Sequence, residues 1–237
     1  MLRQDWSPEQ IYLWLFENNE RTISHEWIYQ MIYRNKRNGG DLHKHLRSKC
    51  KRRKRYGSYT KRGKIVNAVS IDERPDVIDE RARFGDWEVD LVEGNRSSKH
   101  ALLTLTERVA RYTLVAKVES KHASQITKAM IKLLSNSGLA VESVTSDNGR
   151  EFAGHEIVSD TLGIDFYFAH PYSPWERGGN ENTNGLLRQY APKKSDFSQL
   201  SDKDIEHAVD RLNNRPRKCL GMKTPNQVLF GLSLIHI

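Results

Sequence analysis

Three acids stand out by where they fall. Asp90 sits inside "WEVDLVEG", an apolar run with strand spacing, and Asp147 closes on the turn of "VESVTSDNG". Glu181 lies in "SPWERGGNENTNGLLRQY", where a glycine-rich turn hands over to a segment with helical spacing. On a strand, Asp86, Glu88 and Asp90 share one face and Trp87, Val89 and Leu91 the other. The apolar face should pack on a helix, with the acids on the opposite side. Asp147 falls at the C-terminal end of its predicted strand, where open α/β sheets place ligands. A charge held between Val89 and Leu91 costs stability unless it is paired. At an effective dielectric near 20, like charges ~4 Å apart repel by roughly 4 kcal/mol, so three converging carboxylates need cations. Carboxylate oxygens with room for water suit Mg²⁺ or Mn²⁺ rather than zinc. Two such ions clamp the attacking and leaving oxygens of a phosphoryl displacement. Simpler roles stay open for two of the acids: Asp147 as a turn residue, Glu181 as a first-turn acid favoured by the helix dipole.

The neighbours of Glu181 suit such a site. Gly178 and Gly179 would let the backbone pass close to DNA or metal. Asn180, Asn182 and Asn184 offer neutral donors and acceptors around the acid, with no bulky cation to compete with a metal. Asn148, next to Asp147, joins these as a supporting residue. Arg150, Arg188, Lys193 and Lys194 are candidate phosphate contacts, and His170 reads as a structural turn histidine.

These residues need elements to carry them. "RARFGDWEVDLVEG", "KHALLTLTER" and "ARYTLVAKVES" read as a three-strand meander. A helix follows, ending at Gly138, then a strand into Asp147, more helix and the strand "IDFYF". That order predicts an α/β fold with a mixed sheet and helices on both faces. Upstream, Ser7-Pro8-Glu9-Gln10 is a helix start with a capping box, and a second helix starts at Ser24 with Ile28, Met31 and Ile32 on one face. Two short helices joined by a polar turn fit a helix-turn-helix. Downstream, "SDKDIEHAVDRLNNRPR" and "TPNQVLF" read as two further helices, the second capped by Thr224 as the first is by Ser7.

Between the two regions runs "HKHLRSKCKRRKRYGSYTKRGK", which includes Arg52, Arg53, Lys54 and Arg55. Such a run is a solvated linker or, beside a helix-turn-helix, a segment that tracks DNA by releasing counterions. Of 237 residues, 37% are hydrophobic and 29% charged, which suits a globular chain. The formal net charge is +8, so polyanions are the first partners to consider. Cys50 and Cys219 are the only cysteines and form no framework, pointing to a reducing compartment. No apolar run is long enough to span a membrane. The expected location is the cytoplasm, on the bacterial nucleoid. "LSLIHI" at the C-terminus continues no pattern and reads as an adapter-derived scar, set aside from the fold.

"GDWEVDLVEG", "TSDNGREF", "HPYSPWERGGNENTNGLLRQYAPK" and "LNNRPRKCLGMKTP" together resemble the transposases of bacterial insertion sequences of the IS-thirty type, in the retroviral-integrase-like DDE superfamily. "WSPEQI" and "ISHEWIYQMIY" resemble the family's DNA-binding helices, and the likeness reaches to about Phe230. The chain departs from the family pattern at Val89, where glycine is frequent, and at Trp27, where threonine is. The resemblance implies an RNase-H-like catalytic fold and makes Asp90, Asp147 and Glu181 the catalytic metal ligands. It also implies double-stranded DNA as partner and a homo-oligomer on DNA. The expected organisation is a helix-turn-helix region at 1–42, truncated at its N-terminus, a basic linker at 43–70, a catalytic domain with C-terminal helices at 71–231, and the scar at 232–237. The expected function is metal-dependent cleavage and strand transfer at insertion-sequence ends. Its rivals are a nuclease of the same fold that does not join strands, and an inactive DNA-binding remnant that regulates.

Overall fold

Helix starts are written into this chain by its caps. In the computed structural model, which describes residues 1–20, 23–47, 65–95, 98–171 and 173–231, Ser7 opens α1 (Pro8–Glu17). Its hydroxyl accepts from the Gln10 backbone N–H while its own N–H donates to Gln10 Oε1, the reciprocal pairing read from the sequence. Ser24 caps α2 (His25–Arg37) by accepting from the Trp27 N–H. Ile11 of α1 meets Ile28 and Ile32 of α2 around Trp6. The outer face of α2 is left with exposed Trp27, Gln30, Arg34 and Arg37.

The second region begins with β1 (Val69–Ser70), α3 (Asp76–Asp79), β2 (Asp86–Glu93), β3 (Ala101–Glu107) and β4 (Thr113–Val118). It continues through α4 (Ala123–Asn136), β5 (Ser143–Ser146), α5 (His155–Leu162), β6 (Asp165–Phe168), α6 (Gly178–Leu187) and α7 (Asp202–Asn213). The strands form one six-stranded sheet in the order β1-β6-β5-β2-β3-β4. The expected antiparallel meander β2-β3-β4 is present, and β5, β6 and β1 join it through parallel pairings. β1 is too short to show in the sequence pattern.

Alternation on β2 does what the sequence predicts on the apolar side. Trp87 and Val89 face a core built with Ile126, Met130 and Leu134 of α4 and Val158 of α5. Val89 is completely buried. The acidic side differs from an open face. Asp86 and Glu88 are buried, Asp86 held by Arg83 and the Ser143 hydroxyl, and Glu88 by Arg108 Nη1 at 2.6 Å. Of the three acids only Asp90 keeps part of its side chain in solvent.

Two compact units emerge, one from Ser58–Val209 and one that joins Met1–Gly57 to Asp210–Ile237. The C-terminal helices were expected to belong wholly to the catalytic domain at 71–231. Instead the end of α7 and α8 (Pro225–Phe230) group with the N-terminal helices. The reason is local: Gln10, already engaged in its capping box, donates Nε2 to the Pro216 carbonyl at 2.7 Å, and Lys218 pairs with Glu9. The expected linker at 43–70 also shrinks, since Leu42–His45 forms a 3₁₀ turn pinned by His45 to Asp5, and Val69–Ser70 is in the sheet. Arg52, Arg53, Lys54, Arg55, Cys50 and the 232–237 segment lie outside the described residues. No described helix is long and apolar enough to cross a membrane.

Candidate active site

Parallel register brings the first two acids together. β2 pairs with β5 through Asp86↔Ser143, Trp87↔Val144 and Glu88↔Thr145, and the same offset carries position 90 opposite position 147, just beyond the end of β5. Asp147 then folds over its own turn, accepting from the Gly149 N–H at 2.9 Å. Asn148 donates Nδ2 to the Ala169 carbonyl and so ties this turn to the end of β6. The two carboxylates are partly open, with side chains 26% and 29% exposed.

Asp90 is held on both oxygens. Oδ1 accepts from the Leu91 N–H at 2.9 Å, and Oδ2 accepts from Asn184 Nδ2 at 2.7 Å. Thr104, directly opposite Asp90 across the β2–β3 ladder, donates its hydroxyl toward the Asn184 carbonyl oxygen at 3.1 Å and the Asp90 carbonyl at 3.2 Å. Burial raises the Asp90 carboxyl above the ordinary aspartate value; Arg177 opposes this, while Asp147 and Glu151 add to it.

The cation comes from an unexpected place. Arg177, the N-cap residue of α6, reaches back between the acids, with Nη1 3.8 Å from Asp90 Oδ1 and Nη2 3.5 Å from Asp147 Oδ2. Nη1 also donates to the Val89 carbonyl at 3.2 Å. Amides flank Glu181 in the sequence, but the expected absence of a competing cation does not hold: Arg177 lies against both aspartates. Glu151 was not expected either, although an acid two residues past the turn at Gly149 was visible. Glu181 sits in the first turn of α6 with an exposed side chain, one turn before Asn184. The structure thus unites Asp90 and Asp147, and among the described residues no three acid, histidine or cysteine side chains are grouped to hold a metal ion.

The glycines and amides act differently from the sequence expectation. Gly179 allows α6 to approach buried charge: a Cβ there would lie 2.7 Å from Arg111 Nη1 and 3.0 Å from Glu88 Oε2. Asn180 is buried, and neither side-chain polar atom has a hydrogen-bond partner among the described residues. Gly178 is the first residue of α6. Arg150, Lys193 and Lys194 are exposed. Arg188 is engaged within the fold, donating to the Glu93 carbonyl at 2.7 Å and lying over the Phe197 ring. His170 bridges two acids, Glu176 and Asp72, each at 2.9 Å.

A six-stranded mixed sheet with one acid within β2 and another just past the end of the adjacent β5 fits what comparison finds. Residues 80–174 match the family described as "Integrase core domain". The chain is 43% identical over 96% of its length to the transposase of insertion sequence element IS4351 from Bacteroides fragilis, covering 70% of that protein. The chain belongs to the IS30 family of insertion-sequence transposases. A second relative is the transposase InsI of element IS30A from Escherichia coli, 40% identical over 96% of this chain and 62% of that protein. The chain thus spans about two thirds of the length of the curated transposases it matches. Among solved structures, a chain of the simian T-cell lymphotropic virus intasome, determined in complex with PP2A regulatory subunit B56 gamma, is 21% identical with a TM-score of 0.51, covering 65% of this chain and 56% of that one. That likeness carries the fold alone, the RNase-H-like core of retroviral integrases. Family membership sets the reaction class: DNA transposition by a DDE-type polynucleotidyl transferase of a divalent-metal-dependent family.

The donor set fits such a metal. Asp90 and Asp147 offer hard oxygen ligands at one level, partly open to solvent, around a position where a positive group already sits.

Proposed function

We propose that this transposase cleaves DNA at the ends of its insertion sequence and joins the freed 3′-hydroxyl to target DNA, using Asp90, Asp147 and Glu181 as its metal-binding carboxylates. The observation that carries the reading is the hydrogen bond from Asn184 to Asp90. It fixes α6 over the acid pair, and Glu181 shares the Asn184 face of that helix because residues three apart are neighbours on its surface. Bound Mg²⁺ or Mn²⁺, as two ions, would activate the attacking oxygen and stabilise the leaving one. The chain's own residues orient and position. Leu91 N–H and Asn184 fix the Asp90 carboxylate, Gly149 N–H fixes that of Asp147, and the buried core beneath β2 keeps both strands rigid.

DNA would be bound by more than the site. The exposed face of α2 would enter a major groove, and the exposed Arg150, Lys193 and Lys194 would contact phosphates. The basic run through Arg52, Arg53, Lys54 and Arg55 would follow the DNA backbone. Two element ends joined in one event call for at least two active sites, hence a homo-oligomer on double-stranded DNA, with the nucleoid as its place of work.

The test is cleavage and strand transfer on the cognate element end in Mg²⁺ or Mn²⁺. Asp90→Asn, Asp147→Asn and Glu181→Gln should each lose both steps by about 10³-fold or more while DNA binding persists. Full activity in any one removes that residue from the mechanism. Cleavage without joining would reassign the chain as a nuclease, and binding with no nicking would make it a regulator.

A further inference from the structure

We propose that Arg177 is the resident counter-ion of the Asp90–Asp147 pair, and that a divalent ion loads by displacing its guanidinium. The inference rests on the reading of those two acids as metal ligands. Its starting point is the placement of one cation against both acids, 3.8 Å from Asp90 and 3.5 Å from Asp147, with only 14% of the arginine side chain exposed. Two carboxylates at one level on neighbouring strands repel, and Glu151 adds a third negative charge acting on Asp90. A guanidinium is always charged at neutral pH and spans two acceptors at once, so it holds the pair together without any metal. A divalent ion bridging the same oxygens would sit within a few ångströms of that guanidinium, and like charges at such range exclude one another.

The displacement has somewhere to act. Arg177 is the N-cap of α6 and offers no side-chain cap, since a guanidinium has no acceptor for the helix N–H groups; its side chain is turned to the acids. Just beyond it, the buried Asn180 amide lacks partners, and so do Glu88 Oε2 and Arg111 Nη1 where Gly179 packs against them. Buried polar groups left this way make the first turn of α6 costly as it stands. When Arg177 lets go, that turn is free to resettle, and it is the turn that carries Glu181. Arg177 is therefore a positioning residue: it keeps the acids neutralised and the third carboxylate back until a metal exchanges for it.

The test uses the full chain without DNA and measures Mn²⁺ binding by the electron paramagnetic resonance of free Mn²⁺. An opposite charge this near changes a carboxylate's affinity for cations by about 10-fold or more, so Arg177→Gln should bind Mn²⁺ tighter by at least that factor. Arg177→Lys, which reaches one acid at a time, should fall between the variant and the wild type. Wild-type protein supplies a measurement that does not depend on a variant folding: the Arg177 side-chain ¹⁵N resonances should move on titration with Mg²⁺ and stay fixed with the same concentration of Na⁺. Unchanged or weaker Mn²⁺ binding in Arg177→Gln, or an Arg177 signal indifferent to Mg²⁺, overturns the proposal. Asp147→Asn separates the two levels of inference. If it loses Mn²⁺ affinity while Arg177→Gln does not gain any, the metal site stands and the exchange is wrong; if Asp147→Asn binds as the wild type does, the site itself is misassigned.

Discussion

Asn184 connects three things at once: the Asp90 carboxylate it donates to, the Thr104 hydroxyl it accepts from, and the helix that carries Glu181. An amide in this position orients an acid without neutralising it, which a lysine or arginine could not do. Partners of metal-binding side chains typically matter by about 10–100-fold in affinity or activity when removed. Asn184→Leu should therefore raise the Mn²⁺ concentration needed for half-maximal cleavage by about that factor. The lost hydrogen bonds should lower stability by only about 1–3 kcal/mol, read from urea unfolding. A variant with normal metal dependence would make Asn184 a structural residue alone. Asn184 and the two aspartates were legible in the sequence, because a carboxylate amid apolar strand residues and amides at helical spacing are local patterns. Arg177 was not legible. It stands four residues before Glu181 in a glycine-rich loop, and nothing in "ERGG" says that its side chain turns back to β2. Nor could spacing alone say that Asp86 and Glu88 would be buried, since their partners Arg83 and Arg108 become visible only once the strands and turns are in place.

At the scale of elements, the caps and the meander were the plainest signals, because each is decided by residues a few positions apart. Parallel pairings are decided by partners far along the chain, which is why β1 and the level shared by Asp90 and Asp147 had to come from the fold. His170 is a contact of the second kind. It ties the 3₁₀ turn Ile71–Glu73, through Asp72, to Glu176 in the turn Pro174–Arg177 that leads into α6. Hydrogen bonds donated to Glu176 and then to Asp72 raise its pKa above the ordinary 6.5. A folded pKa above the unfolded one means that the folded state holds the extra proton in the interval between them. The tie thus contributes its full stability below about pH 6.5 and loses it as pH climbs through the raised value. His170→Gln should melt below the wild type at pH 6, with the gap narrowing as pH rises through the raised value. Parallel melting curves at every pH would show that the imidazolium adds nothing to the strap.

Across the whole molecule the dominant feature is charge: 38 basic against 30 acidic residues, with a dense basic run in the sequence between the two N-terminal helices and the strands of the sheet. That the chain divides into two regions was readable from this run and from the change of composition after it. The return of the C-terminal helix to the N-terminal unit was not, because it depends on single contacts such as Gln10 to Pro216 across the length of the chain. Charge of this kind acts on DNA through counterion release, and its signature is the dependence of affinity on salt rather than affinity at one salt. Each phosphate contact adds about 0.9 to the slope of log K against log salt concentration on duplex DNA. Replacing Arg52, Arg53, Lys54 and Arg55 together by glutamine should flatten that slope by up to about 3–4 on any duplex, cognate or not. Replacing Gln30 and Arg34 on the outer face of α2 by alanine should instead cost about 1–3 kcal/mol on the cognate end and much less on random sequence. Fluorescence anisotropy over a salt series, with both duplexes, separates the two effects. A linker variant with an unchanged slope would assign the basic run to something other than phosphate contact, and an α2 variant that weakens both duplexes equally would remove that helix from sequence readout.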